Sequence, residues 1–176
     1  MSDSAIKDVL LDAVNFDKDG IDLENLSLEA LILLINTERL KQLQEKTEKE
    51  FKELRERQEK VKELHDILKA INAATKDDGT LDISKNQELK TKIERAKELG
   101  ADIKEGQTTF NKEERDRIVE NIRMTIEDMN VQNDMQLQTI SRLTNERYES
   151  YQMARSILKP LHEAKSSLAR GIRGAS

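Results

Sequence analysis

Hydrophobic positions recur at helical spacing over two long stretches of this chain. Between about residues 27 and 74, Leu40, Leu43, Thr47, Phe51, Leu54, Gln58, Val61, His65 and Leu68 follow a 3-4-4-3-4-3-4-3 spacing, which lays a single stripe along one helix. The step from Leu40 to Phe51 is eleven residues, the spacing of a nearly straight helix, and heptad spacing follows it. From residue 111 onward the heptad is more regular. Its a positions read Val119, Ile126, Asn133, Ile140, Arg147, Ala154, Leu161 and Leu168, and its d positions read Ile122, Met129, Gln136, Leu143, Ser150, Ile157, Ala164 and Gly171. A narrow seam of this kind needs a second helix to cover it.

Punctuation residues divide the stretches. No glycine lies between 27 and 74 or between 111 and 170. Ser27 is placed to accept from an unpaired amide of the first turn, and the first helix closes at the turn sequence Thr75-Lys76-Asp77-Asp78-Gly79. Asn111 with Glu114 three residues on makes a capping box, in which each side chain satisfies the other residue's amide. Pro160 lacks an amide and predicts a kink or break between about Arg155 and Pro160. Between the long helices, Ser84 with Gln87 is expected to cap a short helix whose apolar face is Leu89, Ile93, Ala96 and Leu99 and which Gly100 ends. The fold expected is all-α: a long antiparallel helical hairpin, or coiled coil, with a short helical insert at the turn. Its parts are an acidic, flexible leader at 1–26, a first helix at 27–74, the insert at 75–110 and a second helix at 111–176. Paired positions should add to about 190, placing Gln58 near Asn133 and Leu28 near His162.

Composition narrows the function. Of 176 residues, 37% are charged, 36% hydrophobic and 3% aromatic, with Pro 1 and Cys 0, which suits long helices and argues against an ordinary α/β enzyme core. Without cysteine there is no disulfide framework or thiolate metal site. His65 and His162 each lack a partner at ligand spacing and are read as packing residues. No cofactor, metal site or catalytic residue is expected, because carboxylates on a solvated helix surface have no cleft to perturb them. The segment Asn15 to Leu26 opens like a calcium loop, but its closing position is Leu26 rather than Glu, so it is read as acidic leader.

Charge is unevenly spread. Residues 1–26 set Lys7 and Lys18 against seven acids, a net -5, whereas the chain from Arg147 onward sets six basic residues against Glu149 and Glu163, a net +4. The basic end is too dilute and too poor in aromatics for a nucleic-acid reader. No apolar run is long enough to span a membrane, and Met1 is followed by an acidic stretch rather than a signal peptide.

Two features point to assembly. The run Leu28 to Ile35 is apolar nearly all round the helix, more than a two-helix hairpin covers, so another chain, the Ile6-Val9-Leu10-Ala13 segment or a membrane surface must meet the rest. Leu31, Leu34, Ile35, Ile157, Leu161, Leu168 and Ile172 are the expected assembly end. Asn133 and Gln136, with Gln58 opposite, form an expected polar layer, which costs stability but fixes register and partner. Arg147 with Ser150 places another.

The residues Leu28 to Ile35, the run Gln132 to Ile140, and the continuation through Ala154-Arg155-Ser156-Ile157 to Gly171-Ile172 resemble the hydrophilic type III secretion proteins that form the needle tip or its filament extension, the EspA and IpaD types. The resemblance implies a non-enzymatic exported protein, secreted or at the bacterial surface by a signal-peptide-independent route and cytoplasmic before export. It implies self-assembly through paired terminal helices, contact with other secretion-apparatus proteins, a cognate chaperone and an unstructured N-terminal signal. The alternative reading is a cytosolic coiled-coil adaptor or chaperone that grips a client with the same apolar end.

Overall fold

The structure, a computed structural model, describes residues 28–173, apart from the side chains at 29, 161, 165, 172 and 173. The acidic leader, its calcium-like loop and the Ile6 to Ala13 segment lie outside the described residues. Five elements follow in order: α1 (Leu28–Ala74), β1 (Leu81–Asp82), α2 (Gln87–Glu98), β2 (Thr109–Phe110) and α3 (Lys112–Arg173). The two long helices, α1 and α3, pack antiparallel as a long helical hairpin with the smaller helical region between them.

The covered side of α1 differs from the expected stripe. Leu33, Asn36, Leu40, Leu43, Thr47, Glu50, Leu54, Arg57, Val61, Leu64, Leu68 and Ile71 are buried or half-buried, an unbroken 3-4 alternation. Phe51, Gln58 and His65 are exposed, Phe51 at 51%. The eleven-residue step is therefore absent: the seam takes Glu50, Arg57 and Leu64 where apolarity alone favoured their neighbours. Buried Thr47 is satisfied within its own helix, its hydroxyl donating to the Leu43 carbonyl at 2.7 Å. On α3 the expected heptad is covered from Val119 through Ile157, while Ala164, Leu168 and Gly171 are exposed.

The described chain separates into two compact units, one holding Lys49–Ile140 and the other the terminal parts of both long helices. The first unit has the larger core. Leu64, Ile67, Leu68 and Ile71 of α1 and Ile118, Val119, Ile122 and Ile126 of α3 pack with Leu89, Ile93 and Ala96 of α2 and with loop residues that include Leu99, Ala101 and Ile103. A two-stranded antiparallel ribbon, in register Leu81 with Phe110 and Asp82 with Thr109, delivers Leu81 and Phe110 to this core. Strands of two residues are too short for a period-2 signal, so the pattern along the chain predicted only the helix.

Local chemistry sets the ends of these elements. Gly79 has φ +83, a conformation a β-carbon resists. The cap of α2 is Asn86, whose Oδ1 accepts the Leu89 amide at 3.0 Å. Ser84 instead donates its amide to the Asp82 carboxylate at 2.9 Å in a turn, which corrects the expected Ser84 cap. Asn111 and Glu114 form the expected capping box, with reciprocal bonds of 3.0 and 2.9 Å. Side-chain hydrogen bonds tie the insert to the long helices: Arg95 donates to both carboxylate oxygens of Glu63, at 2.8 and 3.3 Å, Asn121 donates to the Asp102 carbonyl at 2.7 Å, and Arg115 donates to the Gly79 carbonyl at 3.4 Å.

The second unit pairs residues 28–48 with residues 141–173. Leu33 and Ala154 are its buried cluster, with Ile157 and Leu158 packed against them. The helix continues through Pro160, so the expected break is absent. A proline costs about 3 kcal/mol in a helix interior through its missing amide and its ring clash.

Candidate functional site

The polar layer belongs to the larger unit and is richer than the expected Gln58, Asn133 and Gln136. Asn133 and Gln136 are buried, but Gln58 is exposed and makes no part of the layer. Arg57, one residue earlier, donates through Nη1 to the Asn133 Oδ1 at 3.3 Å and to the Gln136 Oε1. The Gln136 amide nitrogen donates to the carboxylates of Glu50 at 2.9 Å and Glu53 at 3.2 Å. Gln136 thus uses its acceptor and its donors at once, and two half-buried carboxylates and one guanidinium converge on it. Charged groups half out of water keep part of their hydration, so the layer avoids the full penalty of a buried ion pair. A charged residue on a helix is usually solvated, which is why Glu50, Glu53 and Arg57 escaped sequence reasoning; an unbroken 3-4 template would have found Glu50 and Arg57.

The smaller unit carries a second polar contact. Asn36, buried in the seam, donates to the Ser150 carbonyl at 2.7 Å, while the Ser150 Oγ is buried without a hydrogen-bond partner. The half-buried Arg147 sets its guanidinium 5.7 Å from the Tyr151 ring centroid. Asn36 with Ser150 and Glu50 with Gln136 add to 186, and Arg57 with Asn133 adds to 190, close to the expected 190.

The apolar end lies in the smaller unit. Leu28 is 69% exposed, Ile35 61% and Ile32 37%, whereas Leu31 and Leu34 are half-buried. At 100° per residue Leu28, Ile32 and Ile35 share one side of α1, about a quarter turn round the helix from the direction of Leu33 and Asn36. Ile157 packs against the Leu33 and Ala154 cluster, so it serves the chain's own core. Leu168 is exposed, and the side chains of Leu161 and Ile172 lie outside those described. The larger unit also presents Met124, Val131 and Met135 outward, an apolar strip that sequence reasoning missed.

Neither histidine has the packing role expected of it, since His65 and His162 are both exposed. Among the described residues no group of three His, Cys, Asp or Glu side chains is placed to hold a metal ion, and no helix is long and apolar enough to cross a membrane. The carboxyls held below their ordinary range are Asp78, by the Thr80 hydroxyl and amide; Asp82, by Ser84; Glu88, by Lys92; and Glu114, by the Asn111 amide. All are surface turn, cap or ion-pair groups pushed toward the ionised form, which suits holding an element's end rather than moving a proton. Compared with known proteins, the chain matches no family model, no curated protein and no solved structure.

Proposed function

We propose that this chain is a non-enzymatic structural protein that self-assembles, and that it serves as an exported needle-tip or filament-like component of a type III secretion apparatus. The outward apolar face of Leu28, Ile32 and Ile35 carries the assembly reading. Fully burying one such side chain is worth roughly 1.5–3 kcal/mol. All three are already partly covered, so two copies meeting through the same face bury the equivalent of about three fully exposed side chains, about 5–10 kcal/mol gross, against an association cost of about 4–15 kcal/mol. A pair of copies is therefore near the threshold of stability, and a larger assembly with repeated contacts lies above it.

The narrower reading draws its support from the resemblance of Leu28 to Ile35 and of Gln132 to Gly171 to needle-tip and filament proteins, joined to a helical hairpin in which residues 28–48 and 141–173 lie in one unit. On this reading its partners are other copies, further secretion-apparatus proteins and a chaperone that shields the apolar end before export. Deleting residues 1–20 and measuring type III export tests it: export is expected to fail, and normal export of the shortened chain contradicts a secretion signal there. Light scattering over a concentration series tests the assembly part. A strict monomer at high concentration favours instead an adaptor that offers the same face to a client.

A further inference from the structure

The insert packs on one side of the larger unit and leaves the other side open. Glu63, Ile67, Ile118 and Asn121, each of which precedes a seam residue, meet the insert through the Arg95 and Asp102 bonds and the shared core. Phe51, Gln58 and His65 of α1 and Arg123, Asn130 and Leu137 of α3 each follow a seam residue, and all six are exposed. One step past the seam turns a side chain by about 100°, and in an antiparallel pair it turns to the same side on both helices. One row further out on this side, at heptad spacing, α1 carries Arg55, Lys62 and Lys69 and α3 carries Glu120, Glu127 and Asp134, again all exposed. Lys69 also pairs with Asp66 at 3.5 Å, and the other five form no ion pair among the described residues. The open side therefore has a basic edge, an acidic edge and, between them at one level, Phe51 and Leu137, 51% and 46% exposed. Arg123 is out of pattern, but it lies between Glu120 and Glu127 of its own helix, which offset its charge.

We infer that this side meets the same side of a second copy, the two lying parallel with α1 of each over α3 of the other. In the register that joins Arg57 to Asn133, Arg55 with Asp134, Lys62 with Glu127 and Lys69 with Glu120 stand at equal heights, each pair adding to 189. A two-fold axis along the helices then sets every base of one edge on an acid of the other copy, and sets Phe51 of each copy on Leu137 of the other. An antiparallel pair would instead set α1 on α1, base on base, and α3 on α3, acid on acid. The matched charges thus select both the occupant and its direction. About 20 residues of each of two helices offer a surface of about 30 by 20 Å, roughly 1,200 Å² counted over both copies, at the lower bound of a specific interface. Two half-exposed apolar side chains per copy and screened edge charges fall short of the association cost for free chains. The contact acts between copies that the face of Leu28, Ile32 and Ile35 has already gathered, so the inference rests on the assembly reading and adds a direction to it.

The chain has no cysteine, so Arg55→Cys and Asp134→Cys each carry one thiol. The two full-length variants are mixed in equal amounts, treated with a short bismaleimide and mapped by mass spectrometry. The expected product joins position 55 of one chain to position 134 of another, with links of 55 to 55 and of 134 to 134 at background. Like-to-like links at comparable yield, or no link, overturn the inference. A charge swap tests the edges directly. Arg55→Glu with Lys62→Glu, and Glu127→Lys with Asp134→Lys, alter only exposed side chains. Each variant alone should associate roughly tenfold more weakly than the wild type. Their equal mixture should regain wild-type association, because altered row then faces altered row and unaltered faces unaltered, opposite in sign both times. Variants that associate as the wild type does, or a mixture no stronger than its components, contradict the inference. Assembly without the 55-to-134 link refutes this inference and leaves the assembly reading standing; the link at full yield in Ile32→Glu with Ile35→Glu does the reverse.

Discussion

Arg57 supplies the donor that the buried oxygens of Asn133 and Gln136 share, while Gln58 beside it points to solvent. The pair gives a direct contrast. Arg57→Ala leaves two buried acceptors without a donor and should cost about 1–3 kcal/mol, whereas Gln58→Ala should stay within about 0.5 kcal/mol. Urea denaturation of both variants checks the order; equal effects would place the seam elsewhere. Ser150 offers the opposite sign. Its Oγ is buried and unpartnered, so Ser150→Ala should leave stability unchanged or raise it by up to about 1 kcal/mol. The thermal midpoint is the readout. At this scale the sequence misleads where polarity and position disagree: Phe51 and His65 drew the stripe one residue off, because a seam that accepts Glu50 and Arg57 cannot be recognised by apolarity.

Elements were more legible, since their ends are written in short-range chemistry. The glycine-free stretches and the Asn111 and Glu114 box pointed to both long helices, and each bond of the box is formed. The ribbon and the Asn86 cap were not legible, because strands of two residues carry no period and Ser84, Asn86 and Gln87 are all plausible cap chemistry. The box gives a pH prediction. The Glu114 carboxyl is held low by the Asn111 amide first and Gln107 second. A folded-state carboxyl below its unfolded value contributes stability that is present above the unfolded pKa and lost as pH falls through the folded one. The first turn of α3 should therefore loosen on acidification below the ordinary carboxylate range, and Glu114→Gln should remove that share of the change. An NMR titration of the Glu114 carboxyl reads it directly; an ordinary carboxylate titration would contradict it. Helix charge pairing is also specific: the four-apart ion pairs that close among the described residues of α1 are Lys49 with Glu53 and Lys52 with Glu56, largely solvent-screened and each worth at most a few tenths of a kcal/mol.

For the whole molecule, the antiparallel hairpin and its approximate register followed from two seams, one insert and the glycines between them. Function was less legible because, among the described residues, no group of His, Cys, Asp or Glu side chains is placed to hold a metal ion, and a polar layer built from half-buried charges follows no spacing rule. What the structure adds is a division of the apolar end: Leu33, Ala154 and Ile157 serve the chain's own core, whereas Leu28, Ile32 and Ile35 face outward. The outward face is the surface assigned to assembly. Sedimentation equilibrium of the full chain beside Ile32→Glu with Ile35→Glu measures that assignment most directly. The weight-average mass of the wild type should rise with concentration while the variant holds the mass of one chain with unchanged helix content; a wild type that remains a monomer throughout, or a variant that associates equally well, would contradict it.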